Sequence, residues 1–167
     1  WRIYIETVTL LRKAYPNLQV IIAKSNNVTF PKVDKSFKIE KNAKKAIIAS
    51  DIAIVASGTA TLECAIEGTP LVVCYKVSSL TWLLAKLMVK VEHSSIVNLI
   101  AGKKIVPEFL QSEMKPNIIK NKLIELIDEK SKTRNQMMED FLVIKNKLGT
   151  PGVYAKIANE ILKATKT

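Results

Sequence analysis

Apolar positions along this chain alternate between two rhythms. In residues 3 to 14, Ile5, Val8, Leu11 and Tyr15 fall near helical spacing, Pro16-Asn17 interrupts them, and the β-branched run from Leu18 to Ala23 reads as a strand. A polar stretch with Pro31, residues 24 to 35, reads as a loop, and Phe37 to Glu40 as a short strand. Asn42 is placed to cap a helix over 43 to 49, ending at Ser50-Asp51. Ile52 to Val55 is apolar without interruption, the mark of a strand covered on both faces. Residues 60 to 67 then predict a helix stopped by Gly68, and Pro70 leads into a second buried strand, Leu71 to Tyr75. Further on, Leu80, Leu83, Leu84, Leu87 and Val91 form one helical stripe across 79 to 91. Asn98 to Gly102 predicts a loop and Lys104 to Val106 a short strand. Three helices close the pattern, at 117 to 129, 132 to 147 and 152 to 164, with Gly149-Thr150-Pro151-Gly152 between the last two.

Short buried strands alternating with helices predict an α/β fold: a Rossmann-like parallel sheet covered by helices on both sides. The 167 residues suit a single domain, 1–167, with a helical C-terminal segment at about 116–165. The first residues already read as the middle of an amphipathic helix, and no methionine opens the chain, so a piece of a longer protein is expected.

Charge adds a constraint on partners. Lys plus Arg number 26 against 15 Asp plus Glu, a net charge of +11, which suits an anionic partner or simply a solvated lysine-rich surface. Cys64 and Cys74 lack metal or redox spacing and sit among apolar residues, which predicts buried, reduced thiols. No run of eighteen uncharged apolar residues and no secretory signal is present, and a cytoplasmic protein is expected.

The chemistry concentrates in "VASGTATLECAIEGTPLVV", residues 55 to 73. Ligands of open parallel sheets bind beyond the carboxyl ends of strands, where loops open helices. A helix start offers unpaired N–H groups and partial positive charge to a phosphate. Gly58 permits close approach, Ser57 and Thr59 add hydroxyls, and Glu63, one turn on, has the carboxylate that a ribose diol would bond. Hydroxyls and acid together point to a nucleotide. The same residues also fit a plain helix cap with a solvated first-turn acid, and the turn lacks the Gly-x-Gly-x-x-Gly and Gly-Lys-Ser/Thr spacings.

The blocks Ser50-Asp51, "ASGTATLE" (56 to 63), "GTPLVVCYKVSSLTWLLAK" (68 to 86) and "VNLIAGKKIVPEFLQ" (97 to 111) resemble, in order and spacing, the C-terminal half of lipid A disaccharide synthases. That resemblance implies an inverting glycosyltransferase with one half of a glycosyltransferase B-type fold. It implies a UDP-diacylglucosamine donor, a diacylglucosamine 1-phosphate acceptor, no metal and no cofactor, at the cytoplasmic face of the inner membrane of a Gram-negative bacterium. It places Ser57, Gly58 and Thr59 on the phosphate side, Glu63 on the ribose, and Asn98 and Lys103 in the donor block with Glu108. Lys103 stands where the family pattern has Arg, which replaces a planar fork of donors by a point charge. Ile96-Val97 replaces Leu-Pro. The resemblance also assigns the general base and acceptor surface to an N-terminal domain, and a Gly-Ser-Arg loop to the segment before Trp1. No catalytic residue is therefore expected in this chain, which is expected to bind donor without turnover.

Three other features bear on function. His93 follows Glu92 but has no nucleophile motif around it, and reads as a loop histidine. Trp82 with Lys76, Lys86 and Lys90 marks the 79 to 91 helix for contact with anionic lipid, against the plainer reading of a core stripe. Phe141, Ile144, Leu148, Ile157 and Ile161 give the C-terminal helices apolar faces that either pack back on the domain or serve a homo-oligomer. The alternatives to a UDP-sugar module are a basic nucleic-acid-binding module, disfavoured by scarce Arg and scattered aromatics, and a non-catalytic interaction domain.

Overall fold

Strand and helix alternate through the computed structural model, which describes residues 1–24, 34–78, 93–149 and 152–165. The elements run α1 (Arg2–Ala14), β1 (Ile21–Ala23), β2 (Lys38–Glu40), α2 (Ala43–Ile48), β3 (Ala53–Val55), α3 (Thr59–Glu67), β4 (Leu71–Tyr75), α4 (Ile96–Ala101), β5 (Glu108–Leu110), a 3-10 turn (Gln111–Glu113), α5 (Pro116–Ile127), α6 (Lys132–Leu148) and α7 (Val153–Ala164). Among the described residues all ladders are parallel, in two sheets: β1 with β2, and β3-β4-β5 in that order. The α/β class with parallel strands and surrounding helices is as expected. The helix expected over 79 to 91, with Trp82, lies outside the described residues.

The core is built on β4. Leu71, Val72, Val73 and Cys74 are all 0% exposed, because β3 and β5 cover both edges and helices cover both faces. Leu123 and Ile119 of α5, Phe141 and Ile144 of α6, and Cys64 and Ala65 of α3 complete the same cluster. Burial pushes both Cys64 and Cys74 thiols up to about 12, with the Glu63 charge adding to the shift at Cys64, so the two free cysteines are held as neutral thiols.

Local signals explain the boundaries. The Asn42 side chain caps α2 by accepting from the Lys45 amide at 3.1 Å. Gly68 ends α3 with φ 77°, and the next residue, buried Thr69, donates its hydroxyl to the Ile47 carbonyl at 3.0 Å, fixing α2 against the end of α3. Pro116 occupies the first turn of α5, and Ser131 caps α6.

Two expectations need correction. The inward face of α1 is Ile3, Tyr4, Thr7 and Leu11, where the spacing offered Ile5, Val8, Leu11 and Tyr15; of those four, only Leu11 is buried. Thr7 is buried without cost to its hydroxyl, which donates to the Ile3 carbonyl at 2.8 Å. Around residue 100 the expected loop and short strand are a helix and a loop: Asn98 lies inside α4, and 104 to 106 is not a strand. The Asn98 carboxamide accepts from the Ile105 and Val106 amides at 2.8 and 2.9 Å and donates to the Val106 carbonyl at 3.0 Å. Those backbone groups are taken by a side chain, so ladder pairing begins only at Glu108.

Candidate functional site

Glycine at 58 decides the geometry of the turn after β3. Its φ of 141° and ψ of −166° suit glycine alone, and it forms the N-cap of α3 with no side-chain cap bond. The Gly58 carbonyl accepts from the Thr61 amide at 3.2 Å and the Thr61 hydroxyl at 2.8 Å, which sets the helix axis. Among the described residues, chain neighbours aside, no atom lies within 4 Å of where a Cβ would stand, so the space beside Gly58 is open. Thr59 is exposed, and Glu63, one turn further, is half-buried. The charge of Glu63 is felt by Lys44, whose own ion pair is with Glu67 at 2.9 Å.

Beneath the turn lies a network centred on Glu108. Strand register puts Val55, Val73 and Glu108 level with one another, so the first residue of β5 reaches the carboxyl end of β3. One Glu108 oxygen accepts from the Ser94 amide and hydroxyl at 3.0 and 2.9 Å. The other accepts from the Ser95 amide at 2.9 Å, the Ser95 hydroxyl at 2.6 Å and the Asn98 amide nitrogen at 2.8 Å. Burial alone would raise the carboxyl's pKa, but the bonds from Ser95 and Ser94 outweigh it and hold the group below the usual carboxylate range. Ser95 therefore stands at the N-cap of α4 without capping it, since its hydroxyl serves Glu108. Ser57 joins this network by donating its hydroxyl to the Ser94 carbonyl at 2.6 Å.

The residues expected at the site thus divide. Ser57, Gly58, Thr59 and Glu63 share one helix start, but Ser57 directs its hydroxyl proton inward, leaving Thr59 and the backbone amides as outward donors. Asn98 is fully buried with both of its amide atoms engaged, so it acts on the turn through Glu108 and Ser94. Lys103 bonds Asp140 of α6 at 2.6 Å and ties the loop after α4 to that helix. Among the described residues, no group of His, Cys, Asp and Glu is arranged to hold a metal ion, and no helix is long and apolar enough to cross a membrane.

Sequence reasoning passed over Glu108 as an organiser, along with Ser94 and Ser95. The adjacent serines before the helix Ile96–Ala101 were a readable cap signal, but the acid that engages them is thirteen and fourteen residues away. Gln111 was also missed. It has φ 51° at the carboxyl end of β5, and its amide fits against both the N–H and C=O of Val77, at 3.3 and 3.2 Å. Close by, Lys104, Glu108, Phe109, Ser112, Glu113, Lys115 and Ile118 line an open cavity of about 380 Å³ that shares only Glu108 with the network.

A helix start at the end of a parallel strand is common to many nucleotide-binding folds, and family comparison narrows the choice. The family model described as lipid-A-disaccharide synthetase matches residues 2–151. The chain belongs to this family. A lipid-A-disaccharide synthase of Rickettsia prowazekii (strain Madrid E) is 36% identical over 155 residues, covering 88% of this chain and 40% of the relative. One from Myxococcus xanthus (strain DK1622) is 32% identical over 167 residues, covering 95% and 43%, and one from Enterobacter sp. (strain 638) is 34% identical over 148 residues, covering 83% and 38%. The chain spans about two fifths of the length of these lipid-A-disaccharide synthases. The matched region contains the Gly58 turn, the Glu108 network and Lys103.

Proposed function

We propose that the chain is the donor-binding half of a glycosyltransferase that joins UDP-diacylglucosamine to diacylglucosamine 1-phosphate, forming the lipid A disaccharide. The observation that carries this reading is the open N-terminus of α3, with Gly58 at its cap and Glu63 one turn in, standing at the carboxyl end of β3. Its amides and Thr59 receive the diphosphate, and Glu63 accepts bonds from the ribose diol. Glu108, through Ser94 and Ser57, holds the turn in place while that charge binds.

An inverting transfer needs a base beside the acceptor hydroxyl and stabilisation of the departing diphosphate. The helix start supplies part of the second. The base and the acceptor surface belong to the remainder of the full-length protein, so this chain by itself binds donor without turnover. The protein works at the cytoplasmic face of the inner membrane, as a peripheral enzyme, and needs neither metal nor cofactor.

Calorimetric titration of UDP tests the reading. The chain is expected to saturate one to one with shallow salt dependence, and Glu63→Ala to weaken binding by about tenfold, the loss for a charged hydrogen-bonded contact. Indistinguishable curves for the two proteins would remove Glu63 from the ribose. A steep fall of affinity for single-stranded DNA with rising salt, and no heat with UDP, would favour the nucleic-acid-binding module that the +11 charge allows.

A further inference from the structure

One acid of this protein stands where packing asks for an apolar residue. α6 turns Met137, Phe141 and Ile144 into the core, and Asp140 lies on the same face, 9% exposed. A carboxylate there is costly unless paired, and an apolar residue of similar size would hold the helix at least as well. Stability therefore does not account for Asp140, and its partner shows what it does. Among the described residues its side chain bonds only the Lys103 ammonium, at 2.6 Å, and Lys103 is the second residue after α4.

That ion pair closes a ring of three helices. α6 packs on both α3 and α4, and α3 and α4 pack on each other. α3 is seated on α6 by side-chain packing, as at its end, where Met138 lies 3.4 Å from the position of a Cβ on Gly68. α4 is six residues long, and its hydrogen-bonded ties to α6 are Lys103 to Asp140 and the weaker bond from the Lys147 ammonium to the Ile100 carbonyl at 3.4 Å. From the loop that Lys103 anchors, the links run without a gap to the turn before α3. The Ile105 and Val106 amides donate to Asn98, Asn98 donates to Glu108 at 2.8 Å, and Glu108 accepts from the Ser94 amide and hydroxyl. The Ser57 hydroxyl completes the path at the Ser94 carbonyl, 2.6 Å away. Each bond has a fixed direction, so a shift of α4 along α6 displaces Ser94 and with it Ser57.

We propose that Asp140 is a positioning residue for donor binding. It latches Lys103, and thereby α4, at one place on α6, and through Asn98, Glu108 and Ser94 this sets where Ser57 and the Gly58 turn stand. The role in binding rests on the donor reading of α3, whereas the latch itself does not. Lys103 then serves the donor through Asp140 and not by touching it. Its place in the chain agrees: it precedes β5 by five residues, on the amino-end side of the strand, whereas ligands of such sheets sit beyond the carboxyl ends.

Lys103→Met, Asp140→Leu and their combination, made in the full-length protein, form a cycle that separates a latch from a direct contact. Each single variant is expected to weaken UDP binding about tenfold by calorimetry, and the double variant by no more than either. Donor KM should rise with acceptor KM unchanged, and Lys103→Arg, which keeps the ion pair, should bind UDP as the parent does. A further drop on adding Lys103→Met to Asp140→Leu would put Lys103 on the donor itself and overturn the proposal, and so would parent affinity in Asp140→Leu. Should Lys103→Met alone not fold, because it strands the Asp140 carboxylate, the comparison of Asp140→Leu with the double variant carries the cycle. Amide exchange without nucleotide tests the latch by itself. Ser94 and Ser95 are expected to exchange about tenfold faster in Asp140→Leu, relative to Val73, whose amide is paired to the Pro107 carbonyl. Equal acceleration at all three amides would reduce Asp140 to general stability, and unchanged exchange would remove the latch; either result overturns the proposal. If the parent gives no heat with UDP, the donor reading fails and this exchange result alone decides the latch.

Discussion

The β4-centred sheet and the β1–β2 ribbon are made of similar residues but differ in what surrounds them. Leu71 to Cys74 are entirely enclosed, and the loop beside them is closed by an asparagine and a carboxylate whose hydrogen-bonding atoms are engaged. In the ribbon, Ile39 is 51% exposed and Lys38 faces solvent, reaching only Gln19 on the surface at 3.1 Å. The lesson is that a parallel strand's stability comes from its neighbours on both edges, and apolar content alone does not provide it. The candidate nucleotide turn adjoins the enclosed region and is tied to it by the bond from the Ser57 hydroxyl to the Ser94 carbonyl.

The contrast can be broken most sharply at Asn98. Asn98→Ala leaves the buried Ile105 and Val106 amides and the Val106 carbonyl without partners, at about 1–3 kcal/mol each, so a loss on the order of 4 kcal/mol is expected by denaturant unfolding. Leu71→Ala should cost about 3 kcal/mol through the cavity it leaves, while Ile39→Thr in the ribbon should stay within about 0.5 kcal/mol. Equal losses at the two sites would contradict the contrast. At the turn, Gly58→Ala meets no neighbour, so its effect is backbone strain alone, about 1–2 kcal/mol, accompanied by weaker UDP binding as α3's first turn shifts.

The smallest effect is acid sensitivity. The Glu108 carboxyl is depressed in the folded state, so its contribution is fully present above the ordinary carboxylate pKa and is lost as pH falls through the lower folded value. Acid titration should therefore release the Ser57 turn below about pH 4, seen as lost protection of the Ser94 and Ser95 amides, and Glu108→Gln should flatten that pH dependence.

Much of this was legible along the chain because it is local. The Asn42 cap, the Gly68 stop, Pro116 at the start of α5 and the apolar run at β4 each depend on residues within a few positions of one another. The helix start after Gly58 was legible for the same reason, because a small polar turn lies directly before the helical run. The face of α1 was not, since which stripe turns inward depends on α5 lying across it.

By itself, then, the amino-acid sequence determined the alternation of strand and helix, the buried thiols and the place of the helix start where a diphosphate is proposed to bind. Tertiary structure alone decided that the Ser57 hydroxyl turns inward, that Asn98 clasps the 105–106 backbone where a strand was expected, and that Glu108 gathers two serines from thirteen and fourteen residues away. The reason is physical: caps and periodicities act over one helical turn, whereas a buried carboxylate is stable only where folding brings enough donors to it, and those donors are chosen by register and packing.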